Sequence, residues 1–198
     1  MQEGLAYRIT PFNTKTPGAK NFDTEKVYNN VMNRFKWGGL DKPGLYIDET
    51  VMRMCYTHRH LLAQLAMQLI AEGQNAKAEK VLRKAEKVLP EYNVPYTFMS
   101  GAADMARAYA LIGKKADAAR ILNKVWADAK SYADYYLQLT GSRFMMSQND
   151  VLRQLYIMQN IADITQACDH SLADQRLKTV NALYAVYQAK GGAPYDGE

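Results

Sequence analysis

Residues 61–90 read LLAQLAMQLIAEGQNAKAEKVLRKAEKVLP, and this stretch decides the fold. It predicts two antiparallel helices joined by a turn at Gly73, because apolar residues recur every three or four positions on both sides of that glycine. Pro90 then ends the second helix. Small or apolar residues stand where the two helices must approach each other: Ala66, Ala78, Leu82 and Ala85.

A second copy of the pattern follows at residues 105–125, MARAYALIGKKADAARILNKV. Its turn glycine, Gly113, lies 40 residues after Gly73. One helix pair cannot cover its own apolar face, so a repeated pair predicts that the two copies stack. The positions that match the first copy are Ala106, Gly113, Ala118 and Leu122.

The two copies resemble tetratricopeptide repeats, which are helix–turn–helix units of about 34 residues. Tyr109 stands at the aromatic position of the first helix. The second copy departs from the pattern at Val125, where a small residue is usual, and at Lys130, where the proline is missing. The two turn glycines are 40 residues apart rather than about 34, and the extra residues fall in the linker EYNVPYTF at 91–98. The resemblance implies an all-α fold of antiparallel helix pairs in a right-handed superhelix.

Apolar periodicity predicts three helix pairs, at about 49–89, 98–139 and 149–190. Residues 49–190 are therefore expected to form one helical-repeat domain. The third pair does not fit the repeat pattern and is expected to close the array, since terminal units need a polar outer face. Residues 191–198 predict a disordered tail.

Residues 1–48 predict an extended segment and a short helix, both packed on the repeats. Prolines, glycine and polar residues make the first 21 positions aperiodic. Asp23 is expected to cap a helix that runs to about Phe35. Apolar residues alternate in the extended part, which indicates that it packs on the body of the protein: Leu5, Tyr7, Ile9 and Phe12.

The composition is that of an ordered globular domain, with 48% hydrophobic and 23% charged residues among 198. No run reaches the 18 or so apolar residues that a membrane-spanning helix needs. Cys55 and Cys168 predict buried thiols rather than a structural disulfide. The net charge of +5 is mild, and its basic residues alternate with acidic ones, so nucleic acid is not an expected partner.

The first residues, MQEGLAYRITPF, lack the regions of a secretory signal. Taken alone, they indicate a cytoplasmic protein. That expectation holds only if Met1 is the native start and not the first residue of a fragment.

Three further pieces resemble a known family: GLAYRITPFN at 4–13, NFDTEKVYNNVMNRFKWGGLDKPGLYIDE at 21–49 and VMRMCYTHRHLLAQLAMQLI at 51–70. They are similar to the C-terminal extramembrane region of bacterial multi-pass membrane proteins of unassigned function, related to protein O-mannosyltransferases. The resemblance covers most of the chain, and the block around Trp37 is its specific part.

This resemblance implies that the chain is the soluble C-terminal domain of such a protein, on the periplasmic side of the inner membrane. The membrane portion of the family precedes this region and is thought to transfer sugar from a lipid-linked donor. The chain would then meet the membrane only through that absent portion. No part of the sequence matches it, so no catalytic residue is carried over.

The residues themselves give no sign of an enzyme. His58 and His60 are two positions apart on a helix and point in different directions, so they do not share a metal. His58 is expected to pack, while Arg59 and His60 are expected to be exposed. His170 follows Asp169 at a helix start, where capping explains it. Zinc spacings and nucleotide-binding loops are absent, so no metal, cofactor or catalytic residue is predicted.

Tyrosine is abundant, with 14 residues. Tyr132, Tyr135 and Tyr136 have helical spacing and are expected to pack against the core rather than to bind a ligand. Tyr92 and Tyr96 flank a predicted loop, where binding residues are common. They are therefore retained as candidates for contact with a peptide or a sugar.

Stacked repeats predict a groove lined by the first helix of each pair, where a protein segment or a partner subunit binds. A glycan or an acceptor protein is the other expected ligand. Three alternatives remain: a domain that completes a glycosyltransferase site, a freestanding cytoplasmic adaptor, and nucleic-acid or lipid binding through Lys77, Lys80, Lys84 and Lys87. The candidate groove residues are Arg59, Gln64, Gln68, Tyr92, Tyr96, Asp104, Arg107 and Ala108.

Overall fold

The computed structural model describes residues 1–9 and 22–193, and it is all-helical. It divides into two compact units, residues 1–113 (unit 1) and 114–198 (unit 2). The α-helices of unit 1 are α1 (Thr24–Asn29), α2 (Glu49–Ala71), α3 (Asn75–Val88) and α4 (Ala102–Leu111). Those of unit 2 are α5 (Lys115–Gln138), α6 (Gly141–Met146), α7 (Gln148–Gln166) and α8 (His170–Ala189).

Helix α2 is the centre of unit 1, where α3 and α4 both pack against it. Only residues 72–74 separate α2 from α3, so the two run antiparallel as predicted. Gly73 forms their turn with a φ of +74°, a conformation that side-chain-bearing residues rarely adopt. The small and apolar residues of the first sequence copy are fully buried between the helices: Ala66, Ala78, Leu82 and Ala85.

The segment before α2 is fastened to the α2–α3 pair. Asp23 caps α1 by accepting a hydrogen bond from the amide of Lys26, as predicted. The helix then continues into a π-helical turn, Asn30–Arg34. Val27 and Val31 are fully buried. Three polar contacts add to this packing: Thr24 to Glu72 at 2.8 Å, Lys77 to Glu25 at 2.7 Å, and Lys84 to the carbonyl of Met32 at 2.7 Å.

The expectation that alternating apolar residues near the N-terminus pack on the body is wrong for those described. Tyr7 is 73% exposed and Ile9 97% exposed, and Leu5 is exposed too. The cause is a reversal of the chain, in which Met1 and Arg8 exchange main-chain hydrogen bonds of 3.0 and 2.9 Å. This reversal turns the apolar side chains outward. Phe12 lies outside the described residues, as do 194–198 of the predicted tail.

Unit 2 packs α7 against both α5 and α8. Helices α7 and α8 lie where the third pair was predicted, and Asp169 caps α8 through the amide of Leu172. Helix α6 was not predicted, because it lies in the connection between the predicted pairs at 98–139 and 149–190. Its Phe144 belongs to an apolar cluster that also contains Leu137, Val151, Leu155 and Tyr187.

The second predicted pair consists of α4 and α5, which belong to different units. The pairing of these two helices, and with it the single domain over 49–190, stays a prediction. Helices long and apolar enough to cross a bilayer do not occur in the described ranges.

Candidate functional site

Arg59 was expected to be exposed, and this expectation is wrong, because its side chain is fully buried. The reason lies in the helical register of α2. Position 59 is four residues after Cys55 and three before Leu62, and both of these are buried. The buried stripe therefore runs through Arg59, while His58, which was expected to pack, is only partly buried.

Main-chain carbonyls surround the Arg59 guanidinium. Burial lowers the pKa of Arg59 to about 10, so the group remains charged at neutral pH. A buried charge is tolerated only where polar groups replace its water. Four carbonyl oxygens from the α3–α4 linker and its borders accept its hydrogen bonds: Leu89 at 3.0 Å, Val94 at 2.6 Å, Pro95 at 3.2 Å and Ser100 at 3.4 Å.

The linker tyrosines, retained as binding candidates, are both engaged within unit 1. Tyr96 is buried, and its ring lies 5.0 Å from the Arg59 guanidinium carbon. Tyr92 is exposed, but its hydroxyl donates to the carbonyl of Asp41. Between them, the buried Asn93 side chain donates to the carbonyls of Leu40 and Lys42 at 2.7 and 2.6 Å. The linker thus joins Arg59 on one side to the N-terminal segment on the other.

Exposed side chains of α2 and α4 form a second arrangement, which we term the polar surface. It consists of His60, Gln64, Asp104 and Arg107, three of which were predicted. His60 and Asp104 join the two helices, with His60 Nδ1 3.5 Å from Asp104 Oδ2. Gln64 and Arg107 lie about one turn further along their helices. Sequence reasoning placed His60 at the surface but missed its partner on α4.

Gly101 allows α2 and the start of α4 to approach closely at this point. It caps α4 with a φ of +76°. A β-carbon added there would lie 3.0 Å from the amide nitrogen of His60 and 3.1 Å from its ring. His60 Nε2 also lies 3.1 Å from the carbonyl of Met99. The imidazole is therefore held between an oxygen on each side.

The electrostatics of the pair follow from this geometry. Asp104, facing Nδ1, is the main cause that raises the pKa of His60, and burial opposes it. The same contact lowers the pKa of the Asp104 carboxyl. Both side chains are about half exposed, so solvent screens the interaction and its contribution to stability is modest.

Two further groove candidates do not offer free side chains. Ala108 is fully buried. Gln68 is partly buried and donates to Glu72, the residue that also accepts from Thr24. Of the eight candidate groove residues, the polar surface therefore retains Gln64, Asp104 and Arg107.

The four lysines of α3 do not form a free basic face. Lys77 pairs with Glu25 and lies 5.3 Å from the ring centre of Tyr28. Lys84 donates to a carbonyl of the N-terminal segment, and burial lowers its pKa. Only Lys80 and Lys87 are exposed, which leaves little charge for a lipid or nucleic-acid surface.

The remaining histidines and cysteines do not gather into a site. His58 Nδ1 contacts the carbonyl of Met54, and its ring meets the edge of Trp37. Cys55 is buried, and Cys168 is a partly buried free thiol. Across residues 1–9 and 22–193, no three His, Cys, Asp or Glu side chains are grouped as a metal site would require.

Tyrosines of unit 2 are more exposed than predicted. Tyr132 is 50% and Tyr135 57% exposed, so the expectation that they pack in the core is wrong for both. Tyr136 alone of the three packs against the apolar cluster. An open cleft of about 240 Å³ lies between α7 and α8, with mostly apolar walls that include Leu155, Tyr156 and Tyr184.

Unit 2 also contains a buried arginine, Arg176, on α8. It donates to the hydroxyl of Thr165 on α7 and, at 2.6 Å, to the side-chain oxygen of Asn123 on α5. Its guanidinium carbon lies 5.0 Å from the ring centre of Trp126. Arg176 therefore connects the three long helices of this unit.

Comparisons with protein-family models, with curated proteins and with solved structures each find no match.

Proposed function

We propose that this chain is a noncatalytic helical-repeat interaction domain, which binds a segment of a partner protein on the polar surface of α2 and α4. The observation that carries the proposal is that polar, exposed side chains of two helices meet across the His60–Asp104 contact. A surface shared by two helices of a rigid scaffold is suited to reading the shape and charge of a partner.

The geometry of unit 1 supports a repeat of the tetratricopeptide type. The small residues Ala66 and Ala106 are fully buried at matching positions of α2 and α4. Gly73 and Gly113 have nearly equal φ values, +74° and +79°, at the ends of those helices. The alanine and glycine positions thus match between the two sequence copies in burial and in backbone φ, respectively.

The availability of the polar surface also supports binding. The side chains of Gln64 and Arg107 are exposed and make no hydrogen bond or ion pair within the described part of the chain, although the charge of Arg107 acts on Asp104, so a partner meets unoccupied donors and acceptors there. The contacts of the N-terminal segment lie on α3, the linker and other parts of α2. Among the residues described, that segment leaves the polar surface open.

Site-specific photocrosslinking in living cells tests this proposal. The photoreactive residue benzoylphenylalanine is introduced at Gln64 or Arg107 of the full-length native protein. We expect a discrete crosslinked species from each position, with the same partner identified by mass spectrometry. Lys80 and Lys87 on α3 are the matched controls, since they are exposed and lie outside the polar surface. The absence of a crosslink at 64 and 107, or an identical pattern at the control positions, would overturn the proposal.

We also infer, from the resemblance of residues 4–13, 21–49 and 51–70, that the domain is the periplasmic C-terminal part of a multi-pass membrane protein related to O-mannosyltransferases. In this setting the partner is an acceptor protein or another subunit. Sequencing the native gene upstream of the codon for Gln2 tests the inference. We expect an open frame that encodes several apolar stretches of about 20 residues. A stop codon followed by a start at Met1 would instead favour the freestanding adaptor.

A further inference from the structure

Both nitrogens of the His60 ring face oxygen atoms that accept hydrogen bonds. Nε2 lies 3.1 Å from the carbonyl of Met99, and Nδ1 lies 3.5 Å from a carboxylate oxygen of Asp104. A neutral imidazole has one N–H and one bare nitrogen, so it satisfies only one of the two oxygens. The imidazolium carries an N–H on both sides and satisfies both.

We propose that His60 is a proton-dependent fastener between α2 and the start of α4, closed when the ring is protonated and opened when it loses that proton. The two oxygens belong to the 3₁₀ turn Phe98–Ser100 and to the first turn of α4, whereas the ring belongs to α2. Loss of the proton places a bare nitrogen against either the carbonyl or the carboxylate. In both cases the contact becomes repulsive.

The surrounding charges favour this behaviour. Asp104 faces the ring from α4. The positive charge of Arg107, about one turn further along α4, contributes to lowering the pKa of the Asp104 carboxyl. The positive charge of Arg59 on α2 lowers the pKa of the ring and so opposes its protonation. The Arg59 guanidinium is itself hydrogen-bonded to the linker carbonyls. Gly101 leaves room for the ring beside the start of α4, since a β-carbon there would lie 3.1 Å from it.

The pH window follows from the signs of the two shifts. The pKa of His60 is raised, so its contribution to stability is complete below the ordinary histidine value of about 6.5 and is lost as pH rises through the higher folded-state value. The pKa of Asp104 is lowered, so its contribution is present above the ordinary aspartate value of about 4 and is lost as pH falls through the lower folded-state value. The fastener is therefore closed in mildly acidic solution.

Titration of the histidine ring protons by NMR tests the fastener on the whole chain. We expect the pKa of His60 to lie above the ordinary histidine value of about 6.5 and to fall in D104N. The matched control is E49Q, which removes an exposed acid eleven positions before His60 on α2 and is expected to leave the His60 titration unchanged. A His60 pKa at or below the ordinary value of about 6.5, or no change in D104N, would overturn the proposal.

Hydrogen exchange measures how often the start of α4 opens, which a surface charge without this role would not change. After correction for the intrinsic pH dependence of exchange, amides at the start of α4 are expected to open roughly two- to five-fold more often above the His60 pKa than below it. H60Q is expected to remove this pH dependence while the fold is retained by circular dichroism. Persistence of the same pH dependence in H60Q would contradict the fastener.

The fastener also sets the charge of the polar surface, which changes by one unit when His60 titrates. Any effect of this change of charge on partner binding rests on the proposed function, whereas the titration and exchange experiments do not. If the crosslinks at 64 and 107 fail but His60 titrates as expected, the proposed binding role falls and the fastener stands. If the crosslinks succeed but the His60 pKa lies at or below the ordinary value, the fastener falls and the proposed binding role stands.

Discussion

Replacing Arg59 with alanine is expected to destabilise unit 1 by about 3–5 kcal/mol. The substitution leaves four main-chain carbonyls without their donor and opens a cavity beneath Tyr96. Water that enters the cavity limits the loss, which is why we expect no larger value. Urea unfolding measures the effect, followed by the fluorescence of Trp37 in a W126F background, because the two tryptophans lie in different units.

Two companion variants separate the causes of the Arg59 effect. R59M retains much of the apolar stem without the donors, so it is expected to recover only the packing part of the loss. R53A removes an exposed arginine that pairs with Glu49 on the same helix, and it is expected to change stability by about 0.5 kcal/mol or less. An R59A protein within about 1 kcal/mol of the parent would show that the linker does not depend on the guanidinium.

The second large effect is expected from R176A, which should destabilise unit 2 by about 2–4 kcal/mol. Asn123 loses its charged partner, the hydroxyl of Thr165 loses a donor, and the ring of Trp126 loses the stacked guanidinium. Fluorescence of Trp126 in a W37F background reports the unfolding of this unit. K178A, two positions along α8 and exposed, is the control that should leave the midpoint nearly unchanged.

The substitution R176K tests whether geometry or charge matters at this position. A lysine keeps the charge but lacks the planar fork that reaches Thr165 and Asn123 together and stacks on an indole. We therefore expect R176K to recover less than half of the stability that R176A loses. Full recovery in R176K would mean that charge alone accounts for the arginine.

Helix positions were predictable because apolar periodicity and turn chemistry are local. The predicted ranges 49–89 and 149–190 begin and end within about one residue of the helices α2–α3 and α7–α8, and the sequence identifies Asp23 as the cap of α1. Helix α6 was missed because a glycine after a long helix usually marks a stop, whereas here Gly141 is the first residue of another helix.

The candidate site was less predictable because its contacts join distant parts of the chain. Arg59 meets carbonyls 30 to 41 positions away, and nothing in the side chains of the linker signals that its oxygens converge. The buried stripe of α2 did contain a signal, because Arg59 lies four residues after Cys55 and three before Leu62. Charged residues are mostly exposed in folded proteins, and this general tendency led to the wrong prediction for Arg59.

For Tyr132 and Tyr135 the error is the reverse, because they were predicted to pack in the core and are exposed. Their helical spacing is compatible with a core face, but periodicity alone does not say which face another helix covers. The core of unit 2 takes Ala129, Ala133 and Leu137 from that part of α5 and leaves the two tyrosines at the surface.

Recognition of the linker through its main chain has an evolutionary consequence. The Arg59 guanidinium contacts carbonyl oxygens, which every amino acid supplies, so it does not select the side chains at 89, 94, 95 or 100 through those bonds. Burial of the side chains limits substitution at 89, 94 and 100 instead, whereas position 59 is constrained to arginine by its bonds. Among descendants of this sequence, exposed linker positions such as 95 should therefore diverge more quickly than the arginine.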